Sequence, residues 1–349
     1  MSLLISYGCR PEWLKIKPLI NVLNKNNFKY KTLFTGQHQD LIRIEKNIIW
    51  DYNFNPENGE NRLDSIIQAC MNKLGNIVNI EKNEYNNQIK YIMVQGDTTS
   101  ALGVALSAFH HNIKVIHLEA GLRSFNNENP YPEEVNRRII SQIASIHLCP
   151  TKENYENLIN EKILGDKYVV GNTALDNLLE YKDKINYKDI VLVTLHRREN
   201  HDIINKWFIE INKLAEKYDN ILFILPLHPN PNVQKYKDLL MNVEIVKPLD
   251  HKELLNILVK CKLVITDSGG LQEECSFLQK KCLVCRKVTE RPEALETSSR
   301  LIISPENLEK WFDYIIDGHY EILHNNCPFG DGYASEKIYK ILEKYYNER

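Results

Sequence analysis

Short apolar runs alternate along most of the chain with segments whose apolar residues recur at helical spacing. The runs predict strands at 3–8, 30–36, 91–97, 114–120, 146–151, 189–196, 220–228, 243–249, 262–270 and 281–287. Helical spacing lies between them, for example at 13–23, 63–80 and 132–143. Strands that are apolar throughout and separated by helices are typical of parallel sheets covered on both faces. The pattern therefore predicts the α/β class.

The length of 349 residues predicts two domains of ordinary size. A polar, charged stretch at 177–189 precedes a fresh strand and is the best candidate for a linker. We therefore predict a first domain over 1–175 and a second over 176–333. Two α/β domains of similar size would leave a cleft between the carboxyl ends of their strands, where such sheets bind ligands.

Charge and composition exclude several classes of partner. The 44 Lys and Arg residues against 46 Asp and Glu residues leave a net charge of −2, so no overall field favours a nucleic acid or an anionic membrane. No apolar run approaches the ~20 residues that a membrane span needs, and the first residues are more typical of a strand than of a signal peptide. We expect a soluble, cytoplasmic protein that binds neither nucleic acid nor membrane.

The eight cysteines are scattered along the chain, which is not typical of a disulfide scaffold. One close pair, Cys282 and Cys285, lies in an apolar run that predicts a buried strand. A single CxxC with no second pair favours packing over zinc or redox chemistry. We predict reduced cysteines and no metal site.

A candidate anion site follows the predicted strand that ends near Asp267. There Ser268, Gly269 and Gly270 lead into a helix, whose first backbone N–H groups can bind phosphate. A tight turn closed by a helix cap explains the same residues equally well. Glu274, one turn later, could accept hydrogen bonds from ribose hydroxyls, and Glu290 with Arg291 follows the strand that holds the cysteine pair.

Cationic residues follow other predicted strands. Arg10 and nearby Lys15 come after the first strand, and the segment His-Arg-Arg at 196–198 follows another. Arginine offers a fork for phosphate oxygens and histidine can donate or carry a proton, so the segment suggests a diphosphate clamp. The alternatives are a surface arginine for Arg10 and a salt-bridged loop for 196–198. His228, after a further strand, fits a structural role as well as a binding role.

Carboxylates mark strand ends in the first half of the chain. Asp97 and Glu119 each follow an apolar strand, and Glu133 and Glu134 follow Pro132 at the start of a predicted helix. Carboxylates gathered at one edge could have perturbed pKa values and supply a general acid and base. For Glu133 and Glu134, a solvated first helical turn is the alternative. The residues alone thus predict a cleft enzyme that binds a nucleotide diphosphate.

Ten short strings occur along the chain: GCRPE (8–12), TGQH (35–38), QGDTTS (95–100), HLEAGLRS (117–124), YPEEVNRR (131–138), TLHRREN (194–200), HPNPN (228–232), TDSGGLQEE (266–274), TERPEAL (289–295) and PFGDGYASEKI (328–338). Together they resemble the non-hydrolysing UDP-N-acetylglucosamine 2-epimerase family. Each string is weak alone, but they occur in the family's order over nearly the whole chain. The resemblance implies two Rossmann-like domains facing a cleft, the glycosyltransferase-B architecture, with a last helix at 334–349 that returns to the first domain.

The resemblance also implies residue roles. The catalytic residues would be Asp97, Glu119, Glu133 and His196. The substrate-binding residues would be Arg10, Ser268, Gly269, Gly270, Glu274, Glu290 and Arg291, with uracil against 248–254, which includes Leu249. Lys15 and His228, candidates from their places near strand ends, complete the predicted substrate-binding set. Gln37, His38 and Arg198 would belong to an allosteric site for a second nucleotide sugar, although 37–41 departs from the family's QHRxM pattern. Cys9 also stands where the family usually has threonine.

The implied reaction is reversible C2 epimerisation of UDP-N-acetylglucosamine (UDP-GlcNAc) to UDP-N-acetylmannosamine (UDP-ManNAc), in a homodimer that serves polysaccharide biosynthesis. UDP would leave to give a glycal and then add back, with no cofactor. Which carboxylate is the base and which the acid stays open. The alternatives are another UDP-acetamido sugar as substrate, a hydrolysing 2-epimerase that releases ManNAc, a glycosyltransferase, and a silent UDP-sugar sensor.

Overall fold

The computed structural model describes residues 2–37, 50–54, 62–320 and 327–347. The chain divides into two compact units. The first unit comprises 1–177 and 332–349, and the second comprises 178–331. Within the described ranges, every helix is too short or too polar to span a bilayer.

The first unit contains a parallel sheet flanked by helices. Its elements in chain order are β1 (Ser2–Tyr7), α1 (Arg10–Lys25), β2 (Tyr30–Phe34), β3 (Tyr52–Asn53), α2 (Arg62–Asn83), β4 (Ile89–Gln95), α3 (Thr99–His110), β5 (Lys114–Leu118), α4 (Glu133–Ile143), β6 (Ile146–Cys149), α5 (Lys152–Asn160) and β7 (Asp166–Val169). The described strands lie in the order β3-β2-β1-β4-β5-β6-β7. The winding reverses between β1 and β4, and in doubly wound sheets ligands bind at the carboxyl end of this reversal point.

The apolar pattern of β1 explains why both faces of this sheet are covered. Leu3 and Ile5 lie in one core cluster with Trp13 and Ile16 of α1, whereas Leu4 lies in a second cluster that includes side chains of α2 and α3. Successive side chains of a strand point to opposite faces, so a strand buried on both faces must be apolar at consecutive positions. This is the pattern that identified the strand in the sequence.

The second unit repeats the same winding. A 3₁₀ helix (Thr173–Lys184) crosses the division, followed by β8 (Ile190–Thr194), a 3₁₀ turn (Arg198–Asn200), α6 (Ile204–Lys217), β9 (Leu222–Pro226), α7 (Pro231–Gln234), a 3₁₀ turn (Lys237–Leu239), β10 (Glu244–Val246), α8 (His251–Leu258), β11 (Leu263–Thr266), α9 (Gly269–Phe277), β12 (Lys281–Cys285), α10 (Pro292–Leu295), β13 (Ser299–Ile302), a 3₁₀ turn (Pro305–Asn307) and α11 (Leu308–Ile316). The parallel strands lie in the order β10-β9-β8-β11-β12-β13, so the winding reverses between β8 and β11.

The last helix, α12 (Ala334–Asn347), belongs to the first unit although it follows the second in the chain. Its Ile338 and Leu342 are buried in the same cluster as the α1 side chains. The backbone N–H groups of Ala334 and Ser335 donate to the carboxylate of Asp176, at 3.0 and 2.7 Å. These bonds satisfy two of the N–H groups that a helix start leaves without an intrahelical partner.

The ten predicted strands all occur, each ending one to four residues earlier than predicted, and two of them, β1 and β4, also begin one to two residues earlier. The sequence pattern did not identify β3, β7 and β13, which are short or only partly buried. Helix α1 begins at Arg10, not near Trp13 as predicted, because Cys9 is its N-cap and Pro11 fits the first turn. All eight cysteines are free, and Cys282 and Cys285 are buried in β12.

Two buried histidines pair across neighbouring strands of the first unit. His117 on β5 lies opposite His147 on β6. Their Nε2 atoms lie 2.8 Å from the carbonyl oxygen of Gly96 and 2.9 Å from that of Leu164. A carbonyl oxygen can only accept, so Nε2 carries the proton in each ring. Burial lowers the pKa of His117 to about 3 and that of His147 to about 4.

These histidines predict a loss of stability in acid. The unfolded chain binds their protons below about pH 6.5, whereas the folded chain does so only near pH 3 to 4, so the free energy of unfolding should fall over that window. For His147 the loss is about 3 kcal/mol at most. Denaturant titrations at several pH values should show a flatter pH dependence for His147→Gln than for the wild type. The exposed His110→Gln is the control, and equal curves for all three proteins would contradict the prediction.

Candidate functional site

The carboxyl edge of the first sheet brings three predicted site residues onto adjacent strands. Arg10 follows β1, Asp97 follows β4 and Glu119 follows β5, and these strands are neighbours in the order β1-β4-β5. In a parallel sheet the carboxyl ends of neighbouring strands meet at one edge. The three side chains are therefore carried by one edge, next to the reversal point.

Asp97 is held by residues of α4. Arg137 donates to its Oδ2 from Nε at 3.0 Å and from Nη2 at 2.6 Å. The side-chain amide of Asn136 donates to its backbone oxygen at 2.9 Å. Two charge-assisted bonds from one guanidinium fix a carboxylate in direction as well as in position. Asp97 stays partly exposed, so a ligand can still reach it.

Glu119 is held by Lys15, which the sequence predicted as a substrate-binding residue. The Lys15 ammonium lies 2.7 Å from Oε1 and 2.5 Å from Oε2, and the side-chain amide of Gln95 also donates to Oε2. The Glu119 side chain is 8% exposed. Its backbone is left-handed, with φ at 66°, which is uncommon for a residue with a Cβ and is concentrated at functional sites.

The structure separates the roles of the two adjacent glutamates at the start of α4. Glu134 is fully buried, and its Oε2 accepts from the Ser124 N–H at 2.9 Å and hydroxyl at 3.1 Å, and from Arg137 at 3.2 Å. It therefore braces the chain beside Arg137. Glu133 is the first residue of α4 and is partly exposed, so it is the one of the pair open to solvent.

Glu12 was quoted within GCRPE but was not predicted as a site residue. It is 3% exposed, and its carboxylate accepts from the Gly8 N–H and from the Thr98 hydroxyl, the latter at 2.5 Å. Burial raises the pKa of Glu12 to about 7, although these donors stabilise the charged form. One feature of the sequence could have identified Glu12. It lies three residues after the N-cap Cys9, a position from which an acidic side chain often accepts hydrogen bonds from the start of the helix.

Asp267 has the corresponding place in the second unit and was also missed. It is fully buried and accepts from the backbone N–H groups of His196, at 3.0 Å, and Arg197, at 2.8 Å, and from the side chain of Asn200, at 3.0 Å. The His196 ring stacks on that of His228, with centroids 5.0 Å apart. Burial lowers the pKa of both rings, and Asp267 opposes that shift. The structure thus brings His196 and His228 together.

The predicted phosphate cradle begins α9. Ser268 is the N-cap, has an extended backbone and makes no side-chain capping bond. A Cβ at Gly269 would lie 2.4 Å from Arg291 Nη1, whereas a Cβ at Gly270 would meet nothing closer than 4.0 Å. A residue with a Cβ at 269 would therefore have to displace the ion-paired Arg291 guanidinium. The first-turn N–H groups lack a side-chain cap and can bind an anion.

Glu290 and Arg291 lie in a buried ion-pair network beside this turn. Arg291 donates to Glu273 and to Glu290, and Arg286 donates to Glu290 at 2.7 Å. Burial would raise the pKa of Glu290, but Arg291, Arg286 and Arg197 hold it well below its usual range. These two predicted binding residues contact each other and Gly269, so they support the cradle from within the protein.

Glu274 lies one turn after the cradle and is 8% exposed. The ring nitrogen Nε2 of His251 lies 3.0 Å from Oε1 of Glu274, and Oε2 of Glu274 has no hydrogen-bond partner among the described residues. His251 begins α8, directly after the loop that holds Leu249. The structure therefore brings the segment 248–254, predicted to contact uracil, to Glu274.

The predicted allosteric residues lie apart in the chain. Gln37 Oε1 accepts from the Ser100 N–H at 2.9 Å, close to the Asp97 segment. Arg198 is exposed in the 3₁₀ turn after β8, and His38 lies outside the described residues. Across the described ranges, no group of three His, Cys, Asp or Glu side chains could hold a metal ion.

Comparison with known proteins identifies related chains. The family model described as UDP-N-acetylglucosamine 2-epimerase matches residues 21–343. A UDP-N-acetylglucosamine 2-epimerase from Campylobacter jejuni is 36% identical, over 98% of this chain and 97% of that one. The crystal structure of UDP-GlcNAc 2-epimerase from Neisseria meningitidis bound to UDP-GlcNAc is 33% identical, covers 99% of this chain and 100% of that one, and has a TM-score of 0.87.

The fold is also found in a more distant protein. The crystal structure of Acinetobacter baumannii MurG is 11% identical, covers 98% of this chain and 99% of that one, and has a TM-score of 0.57. At that identity the likeness concerns the fold alone. The predicted class, α/β with two Rossmann-like sheets of the glycosyltransferase-B kind, is confirmed.

Alanine substitutions at the two glycines of the cradle should change the stability of the protein differently. Gly269→Ala places a methyl group against the Arg291 guanidinium and should destabilise the second unit by about 1 to 3 kcal/mol. Gly270→Ala has room and replaces a helical glycine, so its stability should be equal or higher by about 0.5 to 1 kcal/mol. Thermal unfolding of both variants measures the difference. Equal melting temperatures would show that Arg291 does not restrict position 269.

Proposed function

The chain belongs to the UDP-N-acetylglucosamine 2-epimerase family, and on that premise we propose that it interconverts UDP-GlcNAc and UDP-ManNAc without net hydrolysis. The observation that carries the proposal is the pair of oriented carboxylates, Asp97 and Glu119, at adjacent strand ends. Epimerisation at C2 requires a proton to leave one face of the sugar and a proton to arrive at the other. Two separately held acid–base groups suit that requirement.

In this proposal the second unit binds the nucleotide. The uncapped N–H groups at the start of α9, with His196 and Arg197, would bind the diphosphate. Glu274 would accept from the ribose hydroxyls, and the loop with Leu249 would lie against uracil. Arg291 and Glu290 would act indirectly, because their network fixes the turn at Gly269.

The first unit would act on the sugar. A carboxylate removes the C2 proton while the C1–O bond breaks, its electrons leave with UDP, and the C1–C2 double bond of a glycal forms. In return, a proton is added to the opposite face of C2 and a UDP oxygen attacks C1. Asp97 and Glu119 would share the base and acid roles, with Glu133 beside them and Arg10 near the departing diphosphate.

Most of the activation barrier must be lowered by stabilising the leaving group. The C2–H bond has no adjacent carbonyl to acidify it, so stabilising the charge that develops on the departing diphosphate lowers the barrier most effectively. Helix N–H groups and a histidine fixed before the reaction are suited to this role because they need no rearrangement. No cofactor is required by such a sequence of steps. The predicted homodimer and cytoplasmic location remain predictions, as does the allosteric role of Gln37, His38 and Arg198.

Incubation with UDP-GlcNAc in D₂O tests the proposed reaction. We expect deuterium at C2 of the recovered sugar nucleotide and the appearance of UDP-ManNAc, because the proton removed from C2 exchanges with solvent before return. Nuclear magnetic resonance resolves both products. Accumulation of free ManNAc would instead indicate a hydrolysing 2-epimerase. Exchange only with another UDP-acetamido sugar in a panel would reassign the substrate.

Removing either proposed acid–base group should separate catalysis from binding. Asp97→Asn and Glu119→Gln keep the shape of the side chain but not its proton transfer, so turnover should fall about 10² to 10⁴-fold. UDP affinity, measured by calorimetry, should stay within a few-fold because the proposed nucleotide site lies in the second unit. Asp64→Asn, at an exposed position of α2, is the control. Wild-type turnover in both active-site variants would refute their roles.

A further inference from the structure

Glu12 forms hydrogen bonds with two separate loops of the first unit. On one side its carboxylate accepts from the backbone N–H groups of Gly8 and Cys9, between β1 and α1. On the other side it accepts from the hydroxyl of Thr98, between β4 and α3, at 2.5 Å. Because β1 and β4 flank the reversal point of the sheet, this one carboxylate joins its two sides.

The residues that Glu12 contacts are the direct neighbours of two site residues. Cys9 precedes Arg10, and Thr98 follows Asp97. The Thr98 hydroxyl also accepts from the backbone N–H of Ala101, so it caps α3 while it donates to Glu12. A shift of Glu12 would therefore move the start of α1 and the start of α3 relative to each other.

We propose that Glu12 is a positioning residue which, in its ionised form, sets the spacing between Arg10 and Asp97 and so aligns the diphosphate with the acid–base group. The inference rests on the proposed function, because it assigns Arg10 and Asp97 to one substrate. Glu12 itself is buried beneath these loops and does not act on the substrate. A misplacement of about 1 Å between reacting groups can lower a rate about 100-fold.

The ionised form is required because the carboxylate only accepts in its present contacts. A proton on the oxygen that faces Gly8 would meet a backbone N–H, which can only donate, and a proton on the other oxygen would reverse the hydrogen bond with Thr98. Either proton therefore removes a charge-assisted contact of the present arrangement. The ionisable groups around Glu12 are Asp97, Cys9 and Cys70, and Lys15 lies on the same helix. Burial, with a smaller contribution from Asp97, raises the pKa of Glu12 to about 7 against the effect of its hydrogen bonds. The spacing should therefore loosen as the pH falls through neutrality.

The test compares Glu12→Gln with a matched buried carboxylate. Glu81 is fully buried in the same unit and accepts from Lys31 at 2.6 Å and from the Tyr52 hydroxyl, at the far end of α2. Glu81→Gln should lower the melting temperature and leave kcat unchanged. Glu12→Gln should lower kcat about 100-fold. The wild-type kcat should fall on the acid side with a midpoint near pH 7, and this limb should be absent from Glu12→Gln.

Hydrogen exchange gives a readout that does not depend on turnover. Glu12→Gln should exchange faster in peptides that cover both 8–12 and 96–101, whereas Glu81→Gln should leave both unchanged. If Glu12→Gln does not fold, Glu12→Asp replaces it; this variant should retain the acid limb with a lower kcat, because it keeps the charge but shortens its reach.

Three results would overturn the proposal: wild-type kcat in Glu12→Gln, persistence of its acid limb, or faster exchange in only one of the two peptides. A wild type that leaves UDP-GlcNAc unchanged would refute the proposed function instead. In that case the two-loop exchange result alone decides whether Glu12 couples the loops.

Discussion

Backbone N–H groups that are buried at the carboxyl edge of each sheet need acceptors, and a buried carboxylate supplies them in both units. Glu12 accepts from the loop after β1, and Asp267 accepts from the loop after β8. Leaving such donors unsatisfied would cost about 1 to 3 kcal/mol each. A single buried carboxylate therefore stabilises the conformation of each of the two loops, the one that carries Arg10 and the one that carries His196.

The two carboxylates reach their places by different routes. Glu12 projects from the first turn of α1, whereas Asp267 directly follows β11, the strand beside β8. Asn200 extends the second arrangement by also donating to the carbonyl oxygen of Cys285, at the end of β12. In each unit a side chain thus joins the loops beside the reversal point, in addition to the ladder hydrogen bonds that pair β1 with β4 and β8 with β11.

The arginines and lysines near the candidate site are used mainly to orient carboxylates. Arg137 holds Asp97, Lys15 holds Glu119 and Arg291 holds Glu290. In the second unit Arg291 is already paired, so a diphosphate bound there as proposed would be held by the oriented N–H groups at the start of α9 more than by this cation. The near-zero net charge of the chain agrees with such local pairing.

Local periodicity predicted the strands, the helices and the positions of Asp97, Glu119 and the cradle, because each depends on a few consecutive residues. It could not predict contacts between distant segments. Lys15 was predicted to bind substrate, and that stays a prediction; nothing in the sequence indicates that it also reaches Glu119, 104 residues away. Glu290 and Arg291 are a second example of such a contact. Their burial against Gly269 results from tertiary packing, which the sequence pattern does not show. Glu12 and Asp267 stood within quoted motifs, but their role depends on which loops the fold brings together.

The backbone at the end of β5 holds a glutamate in a conformation that favours glycine. Glu119 and Gly121 have positive φ values, of 66° and 89°, as the chain turns away from the sheet edge after β5, and Gly96, after the neighbouring β4, has a φ of 69°. Glycine adopts this conformation freely, whereas a residue with a Cβ costs about 1 to 2 kcal/mol more. At Gly121 a Cβ would lie 2.1 Å from the backbone oxygen of Asn154, so only glycine fits. At 119 glycine would relieve the strain, yet the chain has a glutamate whose carboxylate is held by Lys15 and Gln95. A glutamate in place of glycine at this position agrees with the acid–base role proposed for its carboxylate.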